Sequence, residues 1–193
     1  RFGFLILMLI TIFSTVQSVS IVDAQDTNQL SGELNLKPII LKSRVISDTK
    51  GVDPTTVAEI ARIETSKHFI VSLGKEDIDR KFLEENGVKL LSYLPYNSWF
   101  VSISNKNVVD NLEKLSIRSI HVIQPEDKLS QPLRIDNIGS WSINENGKIV
   151  LAVKFYDDIK LEDAKATMGK YAFKIYDEID TINSLVLAVP REK

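Results

Sequence analysis

The sequence contains no cysteine and no long block of charge of one sign. The lack of cysteine excludes disulfides, thiolate nucleophiles and cysteine-based zinc sites, so the stability of the fold must come from its hydrophobic core. The 24 basic residues are offset by 26 acidic residues, and the formal net charge is −2. Because no basic face is available to contact phosphates, a nucleic-acid partner has little support.

Motifs for phosphate binding and nucleophilic catalysis are also missing. The sequence has no glycine-rich phosphate loop and no Gly-x-Ser-x-Gly motif. Its two histidines, His68 and His121, both lie in predicted strands. A metal or catalytic pair is conceivable if these strands adjoin, but strand histidines without a nearby acid are usually plain surface residues.

Two pairs of neighbouring acids have structural explanations. Asp157 and Asp158 stand where a helix is predicted to begin, so they are expected to cap it. Glu84 and Glu85 lie in a predicted exposed helix, and general acid–base catalysis would need a cleft around them. We therefore predict no catalytic residue, no cofactor and no metal site in this sequence.

The first 24 residues have the pattern of a signal peptide. Arg1 precedes an apolar run from Phe2 to Phe13, and Val22 and Ala24 occupy the small-residue positions that signal peptidase reads. The run is shorter than the roughly 20 residues that a membrane span needs. We predict a secreted, extracellular protein that meets the membrane only through this segment, with an uncleaved anchor as the alternative.

One order of elements occurs twice after residue 66. The first copy has the order strand, helix, strand, turn, strand, helix and strand, with apolar residues alternating at Trp99, Val101 and Ile103. Helices are predicted over 75–86, ended by Gly87, and again after Asn105 or Asn107. The order βαββαβ predicts a ferredoxin-like unit, in which two helices cover one face of an antiparallel sheet and leave the other open.

The second copy begins at 148 and contains a helix that is predicted to end at Gly169. It stops at Lys193, where its second helix should start, so we expect the intact protein to continue. Before the first copy, Asp53 and Pro54 predict the cap and first turn of a short helix.

The predicted fold class is therefore α+β, with tandem ferredoxin-like (βαββαβ) units, of which the second is truncated. The predicted segments are a signal peptide (1–24), a linker with a short helix (25–66), a ferredoxin-like unit (67–124), a second linker (125–147) and an incomplete second unit (148–193).

Three segments of the first copy carry a resemblance to a known family. Lys67–Gly74, Phe82–Val88 and Tyr93–Val101 resemble the N-terminal propeptide region of secreted subtilisin-like serine peptidases of the archaeal and bacterial type. The resemblance is clear over 41–123 and weaker over 148–189. The chain has none of that family's Asp-Thr-Gly, His-Gly-Thr or Gly-Thr-Ser motifs, so we expect that this sequence is not itself a peptidase of that type.

The resemblance implies an intramolecular chaperone and temporary inhibitor. Its partner would be a downstream or cognate subtilisin-like catalytic domain, and the parent precursor would be a serine-type endopeptidase. The open sheet face would dock on that domain, and this implies a docking role for Ile70, Phe100 and Ser102. The alternative hypothesis is a noncatalytic extracellular adhesion or envelope interaction module that uses the same fold.

Overall fold

The structure is a computed structural model that describes residues 37–47 and 50–191. The predicted signal peptide, residues 1–24, lies outside the described residues. Within the described part, no helix has both the length and the apolar character needed to cross a membrane.

The fold is α+β, with short helices and sheets that are mainly antiparallel. The strands are β1 (Ile39–Ile40), β2 (Val45–Ile46), β3 (Gly51–Val52), β4 (Lys67–Leu73), β5 (Val88–Leu94), β6 (Ser98–Ile103), β7 (Ile117–Val122), β8 (Ile149–Lys154), β9 (Lys174–Ile179) and β10 (Ser184–Val189). The helices are α1 (Pro54–Ala61), α2 (Arg80–Glu85), α3 (Gln131–Arg134) and α4 (Leu161–Lys170).

The first sheet has five strands in the order β3-β7-β4-β6-β5. All its pairs are antiparallel except the short parallel pair of β3 with β7. Phe69, Val71, Val101 and Ile103 are fully buried in the core on the side that carries the helices. The predicted alternation of Trp99, Val101 and Ile103 is confirmed. Trp99 belongs to the same core, as expected, and the guanidinium of Arg80 lies 4.6 Å from its ring centroid.

The first unit is less helical than predicted. The helix expected over 75–86 is reduced to α2, because the carboxylate of Asp79 accepts a hydrogen bond from the Phe82 backbone N–H and caps the helix there. The helix expected after Asn105 is a 3-10 segment, Lys106–Asn111. Tandem β-branched residues at Val108 and Val109 disfavour a regular α-helix.

The two glycines predicted to end helices behave differently. Gly87 follows α2 with a φ of +81°, as the prediction requires. The prediction for Gly169 is wrong, since α4 continues to Lys170 and Ala172 holds the left-handed conformation, with a φ of +53°.

The second sheet has three antiparallel strands in the order β8-β10-β9. Leu161 and Ala164 of α4 pack on Leu185 and Leu187 of β10, and these four residues form a second buried core. The apolar pattern predicted for this copy is therefore observed over its strand, helix, strand and strand.

The segments predicted as linkers contain ordered structure. The Asp53 carboxylate accepts hydrogen bonds from the Thr56 backbone N–H at 3.0 Å and from its hydroxyl at 2.6 Å, so the predicted cap of α1 is confirmed. The segment 125–147 contains α3 and two 3-10 turns. The domain boundaries themselves stay predictions.

Candidate interaction site

The three predicted docking residues lie on one surface of the first sheet, opposite its helices. Ile70 of β4 is directly paired with Phe100 of β6, and His68 with Ser102. We call the surface formed by these four residues the far face. Ile70 is fully buried and Ser102 is 7% exposed, whereas Phe100 is partly buried. The expectation of an open sheet face is therefore wrong, because other parts of the chain cover it.

The hairpin of β1 and β2 supplies one part of this cover. Ile39 is fully buried and forms a small apolar cluster with Ile70 and Ile123. Partly buried apolar side chains surround this cluster, among them Leu41, Ile46, Leu94, Phe100 and Tyr156. The described residues 39–46, within the segment predicted as a linker, thus contribute to the core on this side of the sheet.

An ion pair holds this hairpin against the segment that follows β7. Nε of Arg44 donates to Oδ1 of Asp127 at 3.0 Å, and Nη2 donates to Oδ2 at 2.8 Å. Ser43 Oγ and the Gln124 backbone N–H also donate to this carboxylate. Burial alone would raise the pKa of Asp127, but these hydrogen bonds outweigh burial and lower the pKa below its ordinary value.

The second part of the cover is Tyr156, in the loop between β8 and α4. Its ring centroid lies 4.5 Å from that of His68 and 5.7 Å from that of Phe100. Burial raises the pKa of the Tyr156 hydroxyl to about 12, with smaller contributions from the negative charges of Asp127 and Asp158. The second unit therefore places an aromatic side chain directly on the far face.

Asp158 adds a polar contact beside this ring. Nε2 of His68 lies 3.0 Å from both carboxylate oxygens of Asp158, and both side chains are largely buried. Because an ionised carboxylate only accepts hydrogen bonds, Nε2 must carry the donated proton. The expectation that His68 has no nearby acid is wrong.

The predicted helix cap at 157–158 is also wrong. The residue before α4 is Lys160, and no side chain caps the helix there. Glu84 and Glu85, by contrast, lie on the exposed surface of α2, as expected.

The second histidine does not join the first in a site. His121 pairs with Ile70 in the sheet, and its Nε2 lies 3.1 Å from Ser119 Oγ. Ser102 lies across from His68 in register, but no hydrogen bond joins the two within the described residues. Ser119 and His121 are thus within hydrogen-bond distance, but Ser119 is fully buried, so a substrate could not reach its hydroxyl. No group of three or more potential metal ligands occurs in the described part of the chain.

Comparison with known proteins shows a similarity over part of the chain. Residues 41–124, which contain the first sheet and β2, are similar to a family described as a domain of unknown function, DUF8729. No curated protein and no solved structure matches the chain significantly.

Proposed function

We propose that this chain is the N-terminal prosegment of a secreted subtilisin-like serine endopeptidase precursor. In this role it assists the folding of a catalytic domain and inhibits that domain until it is removed. The observation that carries the proposal is the far face, where Ile70 and Phe100 form an apolar centre that the chain already uses to bind protein segments. Burial of apolar surface is also what docking on a catalytic domain requires.

We also propose that both units have the ferredoxin-like fold. In the first unit the strands follow the spatial order fourth, first, third, second, as β7-β4-β6-β5. In the second unit the order is first, third, second, as β8-β10-β9. Both orders support ferredoxin-like units, the second without its fourth strand.

The hairpin covers Ile70, so docking uses the part of the far face around His68 and Phe100 and requires that the second unit release it. Tyr156 and Asp158 contact His68 and Phe100, so they occupy the area that a catalytic domain would use. We propose that these two side chains withdraw when the catalytic domain binds. Because the contact consists of one ring and one hydrogen-bonded pair, catalytic-domain contacts can replace it.

The test is inhibition and assisted refolding of a related subtilisin-like catalytic domain by residues 25–193. We expect inhibition at micromolar concentration or below. Phe100→Ser should weaken inhibition at least about tenfold, a loss of about 1.4 kcal/mol of apolar contact. Asp158→Ala should strengthen it, because the far face becomes easier to expose, while the exposed neighbour Asp157→Ala should have no effect.

One observation favours the alternative, a noncatalytic extracellular interaction module. The chain already covers the far face, with Ile39 packed on Ile70 and the Tyr156 ring beside Phe100, so this surface also works as a permanent joint within the chain. Absence of both inhibition and complex formation at micromolar concentrations, for wild type and for Asp158→Ala, would rule out the prosegment role and support the alternative. Circular dichroism of each variant would establish that it is folded.

A further inference from the structure

The outer edge of β8 presents a row of backbone groups that face away from its sheet. The Phe155 backbone N–H donates to the Asn183 carbonyl, and pairing alternates along an antiparallel ladder. Val153 and Leu151 therefore direct their N–H and C=O groups toward β10, whereas Val150, Ala152 and Lys154 direct theirs outward. Among the described residues, no strand other than β10 pairs with β8.

The start of this edge already has an antiparallel neighbour. Ile143 forms an isolated antiparallel bridge with Ile149, and the Asn144 backbone N–H donates to the Lys148 carbonyl at 2.9 Å. A bridge of this type has a second bond on the other side of Ile149, from the Val150 N–H to the Ser142 carbonyl, so the free part of the edge is the stretch from Ala152 to Lys154.

The other edges of the two long sheets are protected in ways that β8 is not. β3 is two residues long, and β5 has a bulge between Leu90 and Ser92. β9 carries exposed charges at Lys174, Asp177 and Glu178. Short strands, bulges and charges are the features that prevent edge pairing. β8 has a regular register over six residues and only one charged residue, Lys154, at its end.

The first unit shows which kind of strand fits at this position. β4 is the first strand of the first unit, as β8 is the first strand of the second. β7 pairs antiparallel with β4 on the side away from β6, and this side corresponds to the free edge of β8. β7 contributes Ile117 and Ile120 to the core beneath the sheet. A strand added at β8 would likewise extend the apolar face that packs on α4.

From this geometry we propose that the β8 edge binds an extended peptide segment by strand addition. The segment runs antiparallel to β8, has β-branched residues at alternate positions, and has a carboxylate opposite Lys154. Main-chain hydrogen bonds to Ala152 and Lys154 provide its affinity, and the alternating side chains provide its specificity. This site is separate from the far face and does not depend on the prosegment role. A second copy of β8 fits less well, since it has the same lysine and no carboxylate.

The test measures amide hydrogen exchange by NMR on residues 25–193. The probe is a capped seven-residue peptide of alternating valine and threonine with glutamate at both ends. At saturation, exchange at the amides of Ala152 and Lys154 should slow about tenfold or more. The amides of Leu151 and Val153, already bonded to β10, should change little.

Three controls separate strand addition from other binding. The same peptide methylated at alternate backbone nitrogens should give no protection. Ala152→Pro removes an outward N–H without breaking the ladder to β10, so this variant should stay folded and lose peptide binding. Lys154→Glu should bind the glutamate peptide at least about fivefold more weakly and a lysine-ended peptide more tightly.

Equal protection by the methylated peptide, or no protection by either peptide, would overturn the proposal. Protection at these amides that appears without peptide and grows with protein concentration would identify a second copy as the occupant, and would also overturn it.

Discussion

The side chain of Asp158 connects two parts of the chain that lie 90 residues apart. It accepts the Nε2 hydrogen of His68 beside the ring of Tyr156, at the edge of a small apolar cluster. Since both groups of the pair are largely buried, water replaces the hydrogen bond poorly when either partner is removed. This pair is the polar contact by which the second unit holds the far face.

Replacing Asp158 should therefore weaken the fold measurably. Asp158→Ala is expected to lower the free energy of unfolding by about 1 kcal/mol, measured by urea denaturation. Asp157→Ala, at the exposed neighbouring position, should change it by less than about 0.5 kcal/mol. A double-mutant cycle with His68→Ala should give a coupling energy of about 1 kcal/mol, and a coupling near zero would contradict the pairing.

Tyr156 should make the stability fall at alkaline pH. Its pKa is raised to about 12 in the folded chain, whereas an unfolded tyrosine loses its proton near pH 10, at about the ordinary value. Between these values the folded state binds more protons, so the free energy of unfolding decreases as the pH rises from about 10 to about 12. Tyr156→Phe should flatten the profile in this window. A profile unchanged from wild type, with the exposed Tyr171→Phe as control, would contradict the burial of Tyr156.

At the level of elements, Gly87 and Gly169 were both predicted to end a helix, but only Gly87 occupies a position that requires glycine. A Cβ at Gly87 would lie 2.6 Å from the Cβ of Asn105, and its φ of +81° is unfavourable for other residues. A Cβ at Gly169 would contact nothing within 4 Å, and that glycine is inside α4. The two positions therefore form a matched pair for testing the helix ends.

Alanine substitution should separate the two positions by the sign of its effect. Gly87→Ala is expected to destabilise the chain by more than about 1 kcal/mol, because of both the backbone conformation and the close contact. Gly169→Ala should stabilise it by about 0.5–1 kcal/mol through helix propensity. Thermal and urea unfolding measure both, and a destabilising Gly169→Ala would show that α4 ends before this residue.

The β1–β2 hairpin provides a second matched pair, at adjacent positions. Ile39 is fully buried against the far face, whereas Ile40 is 43% exposed. Ile39→Ala should cost about 2–4 kcal/mol, and Ile40→Ala less than about 1 kcal/mol. Similar costs, measured by urea unfolding, would mean that the hairpin does not cover the sheet.

At the level of the whole molecule, two separate cores are joined through the far face. One core lies between the first sheet and its helices, and the other lies between α4 and β10. Tyr156 belongs to the second unit by sequence and to the far-face cluster by contact. The ring should therefore couple the unfolding of the two cores.

Removing this ring should uncouple them. In Tyr156→Ser, hydrogen exchange should give lower and separate opening free energies for β8–β10 and for β4–β7. Tyr156→Phe keeps the ring and should keep a common value at neutral pH. Separate values already present in the wild-type chain would contradict the coupling.

The course of the main strands could be read from the sequence, because alternation with a period of two requires only local information. β4, β5 and β6 occur in the predicted order, and the inward side chains of β6 are those predicted. Helix ends were less predictable. Asp79 begins α2 later than the apolar spacing indicates, and Ala172, not Gly169, takes the left-handed conformation.

By itself, the sequence determined the α+β class, the repeated order of elements and the inward face of each strand, since all three depend on neighbours along the chain. Only the tertiary structure decided what covers the far face. Tyr156 and Asp158 meet His68 across some 90 residues, and Arg44 meets Asp127 across 83. No periodicity records such contacts, because they depend on how two units pack. Tertiary packing therefore turned a predicted open surface into an interface within the chain.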